Sequence, residues 1–99
     1  MDTFSVNISV NDCCQSKCSS SNISITKIIT NLNDFISLQC NYYLKIIAVN
    51  ENSVVLSLDN GNIFFIRRAF TGIPIKIRIP NNCSCHTITI LVNSITIEA

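Results

Sequence analysis

The chain has 99 residues, a net charge of +1, and 13% charged residues against 47% hydrophobic ones. That length supports one domain around one core. The near-neutral balance leaves no electrostatic footprint for nucleic acid or an anionic membrane, and no apolar run approaches the roughly 18 residues of a membrane-spanning helix. A surface this poor in charge is suited to meeting protein as well as water.

In chain order, Phe4, Val6, Ile8 and Val10 alternate with polar residues, the period of a strand with one apolar face. Residues 11–22 read as a polar connector rich in Ser and Cys. Ile23 and Ile25 restart the alternation, which runs on to Ile28 and Ile29. Residues 31–34 break it, and Phe35 to Leu38 is a short apolar element. Cys40 to Val49 reads as a long strand. Residues 50–52 form a turn, and Ser53 to Leu58 pairs back.

Asp59-Asn60-Gly61-Asn62 is the strongest turn signal, because Asn-Gly tolerates the positive dihedrals of a tight hairpin. Ile63 to Arg67 follows, and Thr71-Gly72 interrupts. Ile73, Ile75, Ile77 and Ile79 then alternate with Pro74, Lys76, Arg78 and Pro80. Pro74 places this strand at a sheet edge or stands at its start, and the two basic residues guard an edge. Thr87 to Val92 and Ser94 to Ile97 close the chain, divided by Asn93.

About eight short strands rich in Ile, Val and Thr, with no helical pattern, predict an all-β fold. The expected architecture is a jelly-roll-like antiparallel β-sandwich with an N-terminal extension. An SH3-like barrel over Tyr42 to Ile79 is the alternative. Residues 1–22 are expected to form an arm and Cys-rich connector, with residues 23–99 as the body. On that division Phe4, Val6, Ile8 and Val10 are the arm-packing residues, laid against another subunit.

Six cysteines carry the chemistry: Cys13, Cys14, Cys18, Cys40, Cys83 and Cys85. Residues 1–6 have no basic stretch followed by an apolar run, so synthesis without a signal peptide is the expectation. Reduced compartments disfavour disulfides; a protein made inside a cell and oxidised after lysis escapes that limit. Neighbouring side chains in an extended segment point opposite ways, so Cys13 and Cys14 form a two-point hook for other subunits. Cys83 and Cys85, on one side of an extended segment, and Cys40 are candidate acceptors. Purely internal pairing is also open, with 15 connectivities for six cysteines. A zinc site built from Cys83-Ser84-Cys85-His86 with the N-terminal cysteines has poor spacing, since no pair is separated by two residues, and no metal or other cofactor is assigned.

Catalysis has little support. His86 is the one histidine, and its adjacency to Cys85 in a strand directs the two to opposite faces. A surface or loop position is expected for it. The carboxylates form no close pair, and Gly61 and Gly72 make no phosphate loop. Arg67-Arg68 suits a solvated strand end or a salt bridge to a neighbour, and the Asn7, Asn22 and Asn82 triplets are read as coincidental. No enzymatic activity is expected.

Val10-Asn11-Asp12-Cys13-Cys14 resembles the N-terminal connector of bacterial endospore appendage (Ena-type) pilus subunits: an apolar residue, a short spacer, then a double cysteine. The third cysteine departs from that pattern, with Cys18 closer and Cys40 farther than the family's spacing. Tyr43 to Leu58 and Cys83 to Ile90 are similar to paired strands and a cysteine-studded strand of spore crust and exosporium proteins. Both resemblances imply a self-assembling, disulfide-cross-linked fibre or lattice on the bacterial spore surface. Cys13 and Cys14 would bond to neighbouring copies, and other spore surface proteins would be further partners. The rival expectations are a small zinc-binding β module and a phage tail or capsid accessory protein.

Overall fold

The computed structural model describes residues 3–15, 20–58, 62–79 and 85–98. They form eight strands: β1 (Thr3–Gln15), β2 (Ser20–Ile29), β3 (Phe35–Ser37), β4 (Tyr43–Val49), β5 (Ser53–Leu58), β6 (Ile63–Arg67), β7 (Ile75–Arg78) and β8 (Cys85–Glu98). Single 3-10 turns at Gln39–Asn41 and Arg68–Phe70 are the helical elements among the described residues. The strands make two antiparallel four-stranded sheets, β2-β1-β8-β7 and β3-β4-β5-β6. The fold is therefore the expected all-β sandwich. Sheet neighbours are consecutive in sequence except β1 and β8, so the connections form a meander whose first and last strands pair.

Alternation places the core between the sheets. Val6, Ile8 and Val10 of β1 and Ile88, Ile90 and Val92 of β8 project inward and are buried, meeting Leu44, Ile46, Leu56 and Ile66 of the second sheet. The outward residues of β1 are polar and linked across strands: Ser9 Oγ lies 3.1 Å from Thr26 Oγ1, and Asn11 Nδ2 donates to Ser24 Oγ at 3.0 Å. Such cross-strand pairs are the sheet's local stabilising units.

Several elements differ from the sequence expectation. β1 is not an arm. It lies between β2 and β8 of its own sheet, paired from Val6 to Gln15 on one side and from Thr3 to Gln15 on the other. Val6, Ile8 and Val10 belong to this chain's own core, with Phe4 packed at its margin. The expected division between residues 22 and 23 falls inside β2, and Cys13 and Cys14 are sheet residues, not connector residues. Polar composition there reflects an outward face and strand ends, not an interruption of the ladder.

At the C-terminus, the break expected at Asn93 is a bulge within one long strand. Asn7 pairs with Ser94 and Ile8 with Val92, leaving Asn93 unmatched. The bulge resets the phase, so Val92 and Ile95 both face the core although they are three residues apart. The Asn93 amide donates to Asn7 Oδ1 and Ser9 Oγ on the outer face.

Strand β4 begins at Tyr43, and Cys40 sits in the preceding turn with φ 62° instead of opening a strand. Pro74 stands just before β7, which is an edge strand. The Asp59-Asn60-Gly61 turn lies outside the described residues.

Candidate functional site

The inward alternation of β1 ends in two polar positions, Asp12 and then Cys14. That of β8 begins with a polar one, His86. Register sets Cys14 opposite His86 and Asp12 opposite Ile88, so Asp12 and His86 are diagonal neighbours on the inward face. Both are buried, with relative exposures of 1% and 0%. His86 Nε2 lies 2.6 Å from Asp12 Oδ1. His86 is thus a core residue, not the surface or loop histidine expected from its neighbours.

The same carboxylate also holds the second sheet. The turn Gln39–Asn41 joins β3 to β4. Its Gln39 backbone N–H donates to Asp12 Oδ2 at 2.6 Å, and the Gln39 side-chain amide donates to the Asp12 carbonyl at 3.0 Å. Tyr42 places its ring edge-on to His86, with centroids 6.0 Å apart. Beyond the histidine, the Ile79 N–H donates to the His86 carbonyl at 2.7 Å. The carboxylate accepts at both oxygens, so its burial is compensated by charge-assisted hydrogen bonds. No buried side-chain polar atom among the described residues lacks a partner.

Cys13, Cys14 and Cys40 lie close to this lock. Cys13 faces outward on β1, half-buried, with a thiol. Cys14 is half-buried, points inward, and is disulfide-bonded. The exposed Cys40 thiol lies with its Sγ 4.0 Å from Cys14 Sγ. Cys85 begins β8 opposite Gln15, and its side chain is not among those described. Cys18 and Cys83 lie outside the described residues. Among the described residues no group of three His, Cys, Asp or Glu side chains is arranged to hold a metal ion.

The lock was missed in the sequence because a lone histidine and a scattered carboxylate carry no motif. A signal was nevertheless present. Asp12 continues Val6-x-Ile8-x-Val10, and His86 precedes Ile88-x-Ile90-x-Val92 in the same phase. Two hydrogen-bonding groups at the inward ends of two alternating strands must be paired if those strands adjoin.

Arg68 is also more engaged than a solvated strand end. Its Nε donates to the Glu51 carbonyl at 2.6 Å and its Nη1 to the Ile95 carbonyl at 2.8 Å, so the side chain bonds to two backbone carbonyls of its own chain.

Chemically, the cysteine-bearing end combines a buried carboxylate–imidazole pair, one disulfide sulfur and one exposed thiol. The pair anchors β1, β8 and the turn between β3 and β4. The sulfurs are the reactive groups. No family model, curated protein or solved structure matches this chain.

Proposed function

We propose that this protein is a structural subunit that assembles with copies of itself, and that disulfides covalently fix the assembly. The observation that carries the reading is the outward face of the second sheet. Phe35, Tyr43, Ile47, Ile63 and Phe65 are exposed there, Phe65 at 73%. Phe35 and Tyr43 pack edge to face, with centroids 5.2 Å apart. Phe65 stands beside Val55 in the register, and Ile63 beside Ser57. Lys45 and Ser57 stand between Phe35 and Ile63 in the register, so the face combines large exposed apolar side chains with a polar row, a composition suited to a protein contact.

The strand that bears Phe65 is also a sheet edge. β6 pairs with β5 on one side, and its other side has no strand partner among the described residues. Edges of this type are usually guarded by charge or proline. β7 has Lys76 and Arg78, whereas β6 has only Arg67 at its end. An apolar face beside an unguarded edge suits a second copy docking by strand addition and apolar contact.

In this reading Cys13 is the cross-linking thiol of the double cysteine, since it faces outward on β1 while Cys14 is already bonded. The spore surface as the place of assembly rests on the resemblance of Val10 to Cys14 alone. The reading assigns no catalytic activity.

The test compares wild-type protein with Phe65→Lys, each purified without reductant, by light scattering, electron microscopy and non-reducing gels. Wild-type should form ordered multimers that resist SDS until reductant is added. Phe65→Lys should fold normally and remain monomeric, because an exposed site contributes little to the core. Monomeric wild-type at every concentration, before and after air oxidation, would overturn the proposal.

A further inference from the structure

We infer that the loop joining β6 to β7 in one copy seats in a cleft between the two sheets of the next copy. The inference rests on the self-assembly proposed above and names a contact within it. The cleft has a volume of about 550 Å³ and opens at the end of the sandwich away from the Asp12–His86 lock. Phe4 near the start of β1 and Ile97 near the end of β8 line it from one sheet, and Val49 at the end of β4 from the other. These three side chains pack against the core but are only partly buried, so the apolar interior is left uncovered here. Leu32, in the link from β2 to β3, stands at the side of the cleft and is 46% exposed.

The loop supplies the complementary shape. Phe70 is 49% exposed and Ile73 50%. The backbone that presents them is anchored to both sheets. The Arg68 N–H donates to the Asn52 carbonyl at 2.6 Å, and the Gly72 N–H donates to the Val92 carbonyl at 2.8 Å. Arg68 also holds the Glu51 and Ile95 carbonyls through its side chain. Gly72 turns the chain with φ 81°, a conformation that glycine takes without steric cost. Pro74 then fixes the exit of the loop. An apolar anchor ordered in advance loses little freedom when it docks.

Charge favours the same match. Residues 63–78 contain four basic residues and no acidic one. Arg68 is committed to its own chain, which leaves Arg67 and Lys76 flanking the loop. Glu51 lines the cleft, and Glu98 lines its extension past Thr3 and Phe4. Among the described residues neither carboxylate has an ion-pair partner, and no basic residue lines the cleft.

The two parts lie at different margins of the sandwich. β2 and β3 are edge strands joined on the side of Leu32, whereas β6 and β7 are edge strands joined by the loop. A copy can therefore fill one neighbour's cleft while a second neighbour fills its own, a heterologous contact that continues from copy to copy. One loop covers less than the roughly 1,200 Å² that a stable interface buries. The contact thus adds direction and affinity to the sheet-face contact and does not replace it.

The test places a photoreactive ring at the tip of the loop, as Phe70→p-benzoylphenylalanine in the full chain. Assemblies mixed from isotope-labelled and unlabelled chains are irradiated, digested with trypsin and mapped by mass spectrometry. Cleavage after Lys27, Lys45 and Arg67 puts Leu32 in residues 28–45 and Val49 in residues 46–67. Links between labelled and unlabelled chains should fall on residues 30–32 or 49–51. In parallel, Phe70→Asp, Ile73→Asp and Leu32→Asp should each raise the concentration at which multimers appear in light scattering by about tenfold or more. Their circular dichroism should match wild-type, because all three positions are half exposed. Multimers whose inter-chain links fall only elsewhere, or folded variants that assemble at the wild-type concentration, would overturn this contact and leave self-assembly standing. Wild-type that stays monomeric at every concentration would overturn both.

Discussion

Replacing Asp12 with Ala tests whether the buried lock stabilises the sandwich. The carboxylate accepts from His86 Nε2 and from the Gln39 N–H, each at 2.6 Å. Its removal takes an acceptor from the buried imidazole and from the half-buried Gln39 N–H, and each lost partner of this kind costs about 1–3 kcal/mol. The sum agrees with the about 3–5 kcal/mol expected when one partner of a buried pair is deleted. A domain of this size loses about 4–8 °C of Tm per kcal/mol, so even the lower end of that sum, about 2 kcal/mol, lowers Tm by about 8 °C.

Urea denaturation at constant redox state measures the loss. His86→Ala and the double variant complete a thermodynamic cycle. Because the two side chains contact each other, their losses should be less than additive by more than about 0.5 kcal/mol. Replacing both with Leu should recover part of the deficit, since an apolar pair leaves no histidine facing a missing carboxylate. An Asp12→Ala variant within about 1 kcal/mol of wild-type, or strictly additive single losses, would refute this account of the lock.

The two adjacent cysteines should separate cleanly in stability. Cys14→Ser breaks a disulfide and should cost about 2–5 kcal/mol, whereas Cys13→Ser should change little; thermal melts of each without reductant decide this. Deleting residues 1–12 removes Val6, Ile8 and Val10 from the core and leaves β2 and β8 without their shared neighbour. Circular dichroism should therefore show an unfolded chain, and a cooperative melt would return these residues to the status of a separate arm. Arg68→Ala removes two bonds to backbone carbonyls. It should destabilise by on the order of 1–2 kcal/mol in denaturant titration, discounted for the exposure of the side chain, and Arg68→Lys should not restore both bonds.

What the sequence determines by itself is the class of element. Ile75 and Ile77 with Lys76 and Arg78, or Val6, Ile8 and Val10 with Asn7 and Ser9, fit a half-buried strand because side chains alternate between faces. β-branched side chains throughout reinforce that choice. Strand pairing is a different matter, since contact between Thr3 and Glu98 spans nearly the whole chain. No local pattern encodes that closure. It arises because both strands have apolar faces that must be covered, and pairing them covers both. That tertiary contact made β1 a central strand instead of an arm, turned the Asn93 break into a bulge, and drew His86 into the core beside Asp12. It also brought Cys14 and Cys40, 26 residues apart in sequence, to a separation of 4.0 Å. Cysteine content was readable from the chain, but which sulfurs meet depends on sheet register and on a turn held by a buried carboxylate, and both exist only once the two sheets have packed.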